Sequence, residues 1–304
     1  MEAPLERYMK VGIVHFKAYP IETGTGPIIE SLIKLCEDDF FSAIEVGWIK
    51  DPKVRDEAAV ILKQSHLEVC YATQPAMFSQ KLSLNALDEG ARRRAVNEVR
   101  KCIVEAHHLG ARWIRLTAGK DPGDDKRQEA KALLVDSLME IASFAQEYGN
   151  PGLTLKLFDR NVDKESLIGP AQDGIDVAEQ VRREFPGFGL LSDLSHYPLL
   201  GEDPAEVVPL LAPYLKAVHI GNTLMRDRLH PVYGDLQPRF GLPGTEIGVG
   251  DVRRFIRLLL DEGVLNSQDR PVLSAEVRPL LAGERSELIV ANAKRVIKEA
   301  WALA

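Results

Sequence analysis

Short apolar runs alternate with longer amphipathic ones along almost the whole chain. Val11–Phe16, Ala43–Trp48, His66–Thr73, Trp113–Thr117, Leu153–Phe158, Gly189–Leu194, Ala217–Ile220 and Val272–Val277 read as strands. Between and after them, apolar residues recur at helical spacing over Ile28–Cys36, Val54–Gln64, Asp88–Leu109, Arg127–Tyr148, Gly174–Phe185, Ala205–Leu211, Val252–Glu262 and Ser286–Trp301. Strict strand–helix alternation calls for a parallel sheet, because parallel neighbours need a crossover between them. Eight such units in 304 residues favour a closed (βα)8 barrel of the TIM type as one domain. An open doubly wound sheet is the alternative, but no Gly-rich phosphate loop follows the first strand.

Residues 1–9 precede the first strand as an N-terminal extension. One connection breaks the rhythm: Thr223–Gly248, after the seventh strand, lacks helical periodicity and carries Pro231, Pro238 and Pro243. Long irregular loops in compact domains are usually functional, and a loop following a barrel strand lies on the active-site face. This one is expected to cover the substrate.

Composition narrows the classes. With 45% hydrophobic residues the chain can bury a large core. Asp and Glu outnumber Lys and Arg by 45 to 38, which disfavours a nucleic-acid partner. Three scattered cysteines suit reduced thiols, the charged start MEAPLERYMK lacks the apolar core of a signal peptide, and no run is long enough to span a membrane. A cytoplasmic protein is expected, with no membrane partner and with homo-oligomerisation open.

The chemistry gathers at strand ends. Residues two apart share a face of a strand, which places Lys156, Asp193, His219 and Glu276 at comparable positions on strands five to eight, with His196 just past the sixth. A lone strand-end histidine is most often a hydrogen-bonded core residue, and a lone buried carboxylate is costly unless paired. Four together at the face where barrel enzymes keep their chemistry point to a site. Asp193, His219 and Glu276 form a donor set suited to one divalent ion (Mn, Mg, Co or Zn). His15, Glu45, Arg115 and Thr117 near other strand ends, Arg160 after the fifth strand, and His230, Tyr233, Asp235 and Arg239 of the long loop are candidate substrate contacts. Trp48 and Phe16 would suit the apolar face of a sugar ring, though strand aromatics are more often core.

The stretches IEVGW, LLSDLSHYPLL, AVHIGN, PG…GVGD and VLSAEV, in this order, resemble the xylose-isomerase-like barrels, the sugar-phosphate isomerase and epimerase superfamily. Asp193-x-x-His196 is the most specific piece. AVHIGN resembles the family's His-x-x-Asp, with Asn222 in place of Asp. The resemblance implies a barrel acting on a small carbohydrate, with a divalent ion held by Glu, Asp, His and Glu from strands five to eight. The last three map onto Asp193, His219 and Glu276, and Lys156 stands where the first Glu would be. An ammonium has donors only and cannot ligate a cation. Either a metal sits on the remaining three, with Asp159 or water completing it, or the Lys156 ammonium takes the metal's place.

The expected reaction is isomerisation or epimerisation of a keto sugar or sugar acid through an enediolate, with Glu276 as base and Lys156 as acid or oxyanion donor. A lyase acting through the same enolate (a β-keto acid decarboxylase or dehydratase) is the first rival. A non-catalytic sugar-binding barrel is the second. A repair endonuclease on this fold would need more His and acidic ligands than the sequence offers. Lys156→Met is expected to abolish turnover and leave the fold intact.

Overall fold

The computed structural model describes residues 3–304, so the first two residues of the extension 1–9 lie outside it. Eight parallel strands close into one barrel in sequential order: β1 (Lys10–Val14), β2 (Ala43–Val46), β3 (Glu68–Ala72), β4 (Trp113–Leu116), β5 (Gly152–Lys156), β6 (Gly189–Asp193), β7 (Leu215–Ile220) and β8 (Val272–Ala275), with β8 returning to β1. The helices are α1 (His15–Ala18), α2 (Ile28–Cys36), α3 (Pro52–Ser65), α4 (Gln74–Ser79), α5 (Glu89–His108), α6 (Asp124–Gln146), α7 (Ala171–Arg182), α8 (His196–Leu200), α9 (Pro204–Leu211), α10 (Val249–Asp261) and α11 (Ser286–Leu303). No helix among the described residues is long and apolar enough to cross a membrane.

Every predicted strand and helix is present, with shifted ends. α3 and α9 each start two residues or one residue before the apolar pattern. Asp51 and Asp203 cap them by accepting from the backbone N–H of Lys53 and Ala205, and proline at the first helical position costs no hydrogen bond. β1 is shorter than predicted: the chain turns into α1 at His15, so His15 and Phe16 leave the strand. The short helices α4 and α8 were not predicted, since five or six residues are too few to show a 3.6-residue period.

The apolar core lies between the strands and the surrounding helices, in residues such as Ile13, Ile44, Tyr71, Ile114, Leu155, Leu190, Val218 and Leu273. The barrel interior is different. Ala43, Cys70 and Val272, with Trp113 packed against them, fill one layer. Above them the inward-facing positions are charged or polar, and they hold the candidate site.

Candidate functional site

Lys156 is the last residue of β5 and is 3% exposed. Its Nζ lies 2.5 Å from Glu276 Oε2, 3.0 Å from Asp193 Oδ2 and 3.3 Å from His219 Nδ1. The ladder pairs Asp193 with His219, and the backbone N–H of Glu276, just past β8, still donates to Ile220. Three neighbouring strands therefore deliver their inward side chains around one ammonium.

The network continues across the barrel. Glu276 Oε2 also lies 2.8 Å from His219 Nδ1, and His219 Nε2 lies 3.1 Å from Glu45 Oε2 on β2. Beneath Glu45, Arg115 donates to it from Nε at 3.4 Å, to Thr154 Oγ1 and to Cys70 Sγ. Glu45, Arg115, Lys156, Asp193, His219 and Glu276 are all at most 3% exposed.

Burial and charge oppose each other at each group. Burial alone would lower the Lys156 pKa, but the charges of Glu276 and Asp193 outweigh it and hold the ammonium above its ordinary range. Burial would raise Glu276, yet Lys156 and the hydrogen bond from His219 pull it well below the usual carboxylate range. His219 is raised, because Glu45 and the hydrogen bonds to Glu276 and Glu45 overcome desolvation and the repulsion of Lys156. Glu45 is lowered against its burial, chiefly by His219 and then by Arg115.

Asp193 Oδ1 accepts from the N–H and hydroxyl of Ser195, which fixes its other oxygen toward Lys156. His196 opens α8 at 2% exposure with neither ring nitrogen hydrogen-bonded; its Nε2 lies 3.6 Å from Asp235 Oδ1 and 4.0 Å from Asp193 Oδ2, and its ring packs edge-on against Phe158.

From the long connection, Asp235, one of the four loop residues predicted, and Gln237, which was not, meet the side chains at the carboxyl end of β6. Gln237 Nε2 donates to Asp235 Oδ1 at 2.7 Å and Ser195 Oγ at 2.9 Å, and lies 3.4 Å from Asp193 Oδ2. Asp235, 3% exposed, is held by Lys164 at 2.9 Å. Its carboxyl is lowered against burial by His196, Lys164 and Lys156. Gln237 sits at φ +60° and is buried, a costly backbone state for a non-glycine that the Arg278 N–H bond to its carbonyl helps to hold. The proline-rich sequence carried no periodic signal for which loop side chains turn inward, so Gln237 was missed.

Several predicted contacts are placed elsewhere. Arg239 pairs with Glu284 at 3.0 Å. Tyr233 packs on the apolar cluster of Leu224, Val232 and Leu242, and His230 accepts the N–H of Val232. Asn222 braces the loop from both ends, accepting from the N–H of Thr223 and Ile247 and donating to Arg239 O and Thr245 Oγ1. His15 leaves the barrel with α1 and bonds Ser31 of α2 at 2.8 Å; burial lowers it to about 4. Arg160 ties its own loop to Leu167 O and Asp173. Asp159 accepts three backbone N–H groups, from Val162, Asp163 and Lys164. In each case the side chain has partners of its own in the structure.

Two buried groups have ligand atoms within 4.8 Å of one another: Asp193, His219 and Glu276, and beside them Asp159, His196 and Asp235. The first set is the predicted metal set, and the structure brings its three residues together. As arranged it does not fit a divalent ion. A metal 2.0–2.3 Å from those donors would fall where the Lys156 ammonium already contacts all three.

Larger clefts lie away from these residues. One of about 830 Å³ runs between α8, α9 and α10, lined by Tyr197, Arg254 and Phe255 among others. Another, of about 1070 Å³, opens at the amino ends of the strands near Lys10, His66 and Glu68. Neither gathers the buried ionic network, and barrel chemistry sits at the opposite, carboxyl face.

No curated protein matches the chain in sequence. Among solved structures it is similar over 97% of its length to a D-tagatose 3-epimerase-like protein, of which 98% is covered, at TM-score 0.72 and 17% identity. It is similar to a D-psicose 3-epimerase from Clostridium cellulolyticum H10 over 97% of this chain and 99% of that one, at TM-score 0.69 and 15% identity. A zinc-bound IOLI protein aligns over 96% and 98% of the two chains, at TM-score 0.70 and 16% identity. At these identities the likeness establishes the fold. The model of one protein family matches residues 34–293, most of the chain. With the closed eight-stranded barrel and its strand-end ionic network already described, this protein belongs to the xylose isomerase-like TIM barrel family.

Proposed function

We propose that the protein isomerises or epimerises a small keto sugar or sugar acid through an enediolate. The observation that carries this reading is the Lys156–Glu276 pair: an ionised carboxylate and a fixed cation side by side at the carboxyl face of the barrel. Removing a proton next to a carbonyl needs a base, and the oxyanion that develops needs positive charge or hydrogen-bond donors. Glu276 Oε2 receives both Lys156 and His219, and Oε1 takes neither of those bonds. Oε1 is the oxygen assigned to the proton transfer. Lys156, held protonated by its neighbours, is a poor acid; it serves as the donor to the enediolate oxygen. His196, with two unbonded ring nitrogens, is the residue assigned to return a proton on the other side. Glu45 and Arg115 act from beneath, by orienting His219.

These groups are buried below the loop 223–248, so substrate entry requires that loop to move. The structural similarity to proteins described as sugar 3-epimerases supports the substrate class. The test is incubation with a panel of ketoses and keto acids in deuterium oxide. Solvent deuterium next to the carbonyl, together with an epimeric or isomeric product, is expected. Release of carbon dioxide or water instead would move the assignment to a lyase, and saturable binding without exchange would make the barrel a sugar-binding protein.

A further inference from the structure

We propose that the Lys156 ammonium is the permanent cation of this site and takes the place of a divalent metal at Asp193, His219 and Glu276. Three observations carry the proposal, and it holds whichever reaction the site performs.

The first is steric. The ammonium lies 2.5, 3.0 and 3.3 Å from one atom of each of the three residues, and those atoms lie within 4.8 Å of one another. An ion bonded to all three would overlap Nζ, so lysine and metal exclude each other.

The second is the surroundings of His219. Nδ1 faces Glu276 at 2.8 Å and lies 3.3 Å from Lys156 Nζ, and Nε2 faces Glu45 at 3.1 Å. Both ring nitrogens are already engaged, so a metal would have to displace an existing contact to reach either one.

The third is charge. Asp193 and Glu276 are each paired with Lys156, and Glu45 is paired with Arg115, so the buried carboxylates of the site already have permanent cations beside them. These groups are at most 3% exposed, where an unpaired charge is strongly disfavoured, and Lys156 supplies the pairing that a metal would otherwise supply. Lys156 is also 5.0 Å from the centre of the Phe158 ring, a further contact that favours a cation there.

The experiment compares the wild type with Lys156→Glu by titration calorimetry with Mn²⁺ and by thermal unfolding with and without chelator. The wild type is expected to lack a saturable Mn²⁺ site dependent on Asp193, and chelator should not move its melting temperature. Lys156→Glu removes the ammonium and adds a carboxylate. It is expected to gain one Mn²⁺ site, about 100-fold tighter than any in the wild type, with a melting temperature that rises with Mn²⁺ and falls with chelator. Adding Asp193→Asn should abolish that site. If Lys156→Glu folds only when Mn²⁺ is supplied, the proposal is equally supported. A stoichiometric metal in the wild type that Asp193→Asn or Glu276→Gln removes would overturn it. So would a folded Lys156→Glu protein that gains no site. The wild-type measurement decides without the variant.

Discussion

A Cβ on Gly221 would lie 1.8 Å from the side-chain oxygen of Gln237, so the Gln237 amide holds its present place in the barrel mouth only while residue 221 has no side chain. The requirement is one of space, since Gly221 is not among the residues with positive φ. Gly221→Ala is expected to expel Gln237 and break its bonds to Ser195 and Asp235. Stability should fall by about 1–3 kcal/mol. Hydrogen exchange across 223–248 should quicken relative to the barrel strands, and unchanged exchange there would show that the bonds of Gln237 do not anchor the loop.

Lys156→Met leaves Asp193 and Glu276 buried without their shared cation. The sequence alone suggested a variant that keeps its fold, but the ion pairs revise this. Removing one partner of a buried pair costs about 3–5 kcal/mol, so the midpoint of denaturant unfolding should drop sharply. Turnover should vanish, and Glu276 should titrate at higher pH than in the wild type, as read by carboxylate infrared or NMR titration. Wild-type stability together with wild-type turnover would reduce Lys156 to filler.

His15 gives a pH dependence of defined sign. Its folded pKa is about 4 against an ordinary 6.5, because burial disfavours the imidazolium. The stability it confers is complete above the unfolded value and is lost as pH falls from about 6.5 through about 4, where only the unfolded chain gains the proton. The full effect is on the order of 3 kcal/mol. His15→Gln keeps a polar partner for Ser31 without titrating, so it should flatten the stability–pH curve in that window. An unaltered slope would show that His15 is accessible to protons in the folded state.

Asn222 holds the two ends of the loop through four bonds. Asn222→Ala should cost about 2–3 kcal/mol, because buried backbone groups lose their partners. Limited proteolysis should then cut within 223–248 before any other segment. Cleavage that still begins elsewhere would show that the loop is secured by its apolar cluster of Leu224, Val232 and Leu242 alone.

The alternation of strands and helices was legible in the sequence because burial on one face imposes a period, and the period identifies the element. That reading carried the closed barrel and the inward placement of Lys156, Asp193, His219 and Glu276, since side-chain alternation along a strand is fixed by the backbone. Glu45 and Arg115 were also found, but as substrate contacts; only the closed barrel shows Glu45 meeting His219 from the opposite wall. His15, Asn222, His230, Tyr233 and Arg239 have local partners that the sequence does not reveal. Asp235 was named among four loop candidates, but Gln237 was not, because a loop without period offers no one-dimensional rule that assigns direction. The sequence presented metal and lysine as rival occupants of one position. Only the tertiary structure bears on that choice, because the distances from Lys156 to Asp193, His219 and Glu276 exist only once distant strands are brought together.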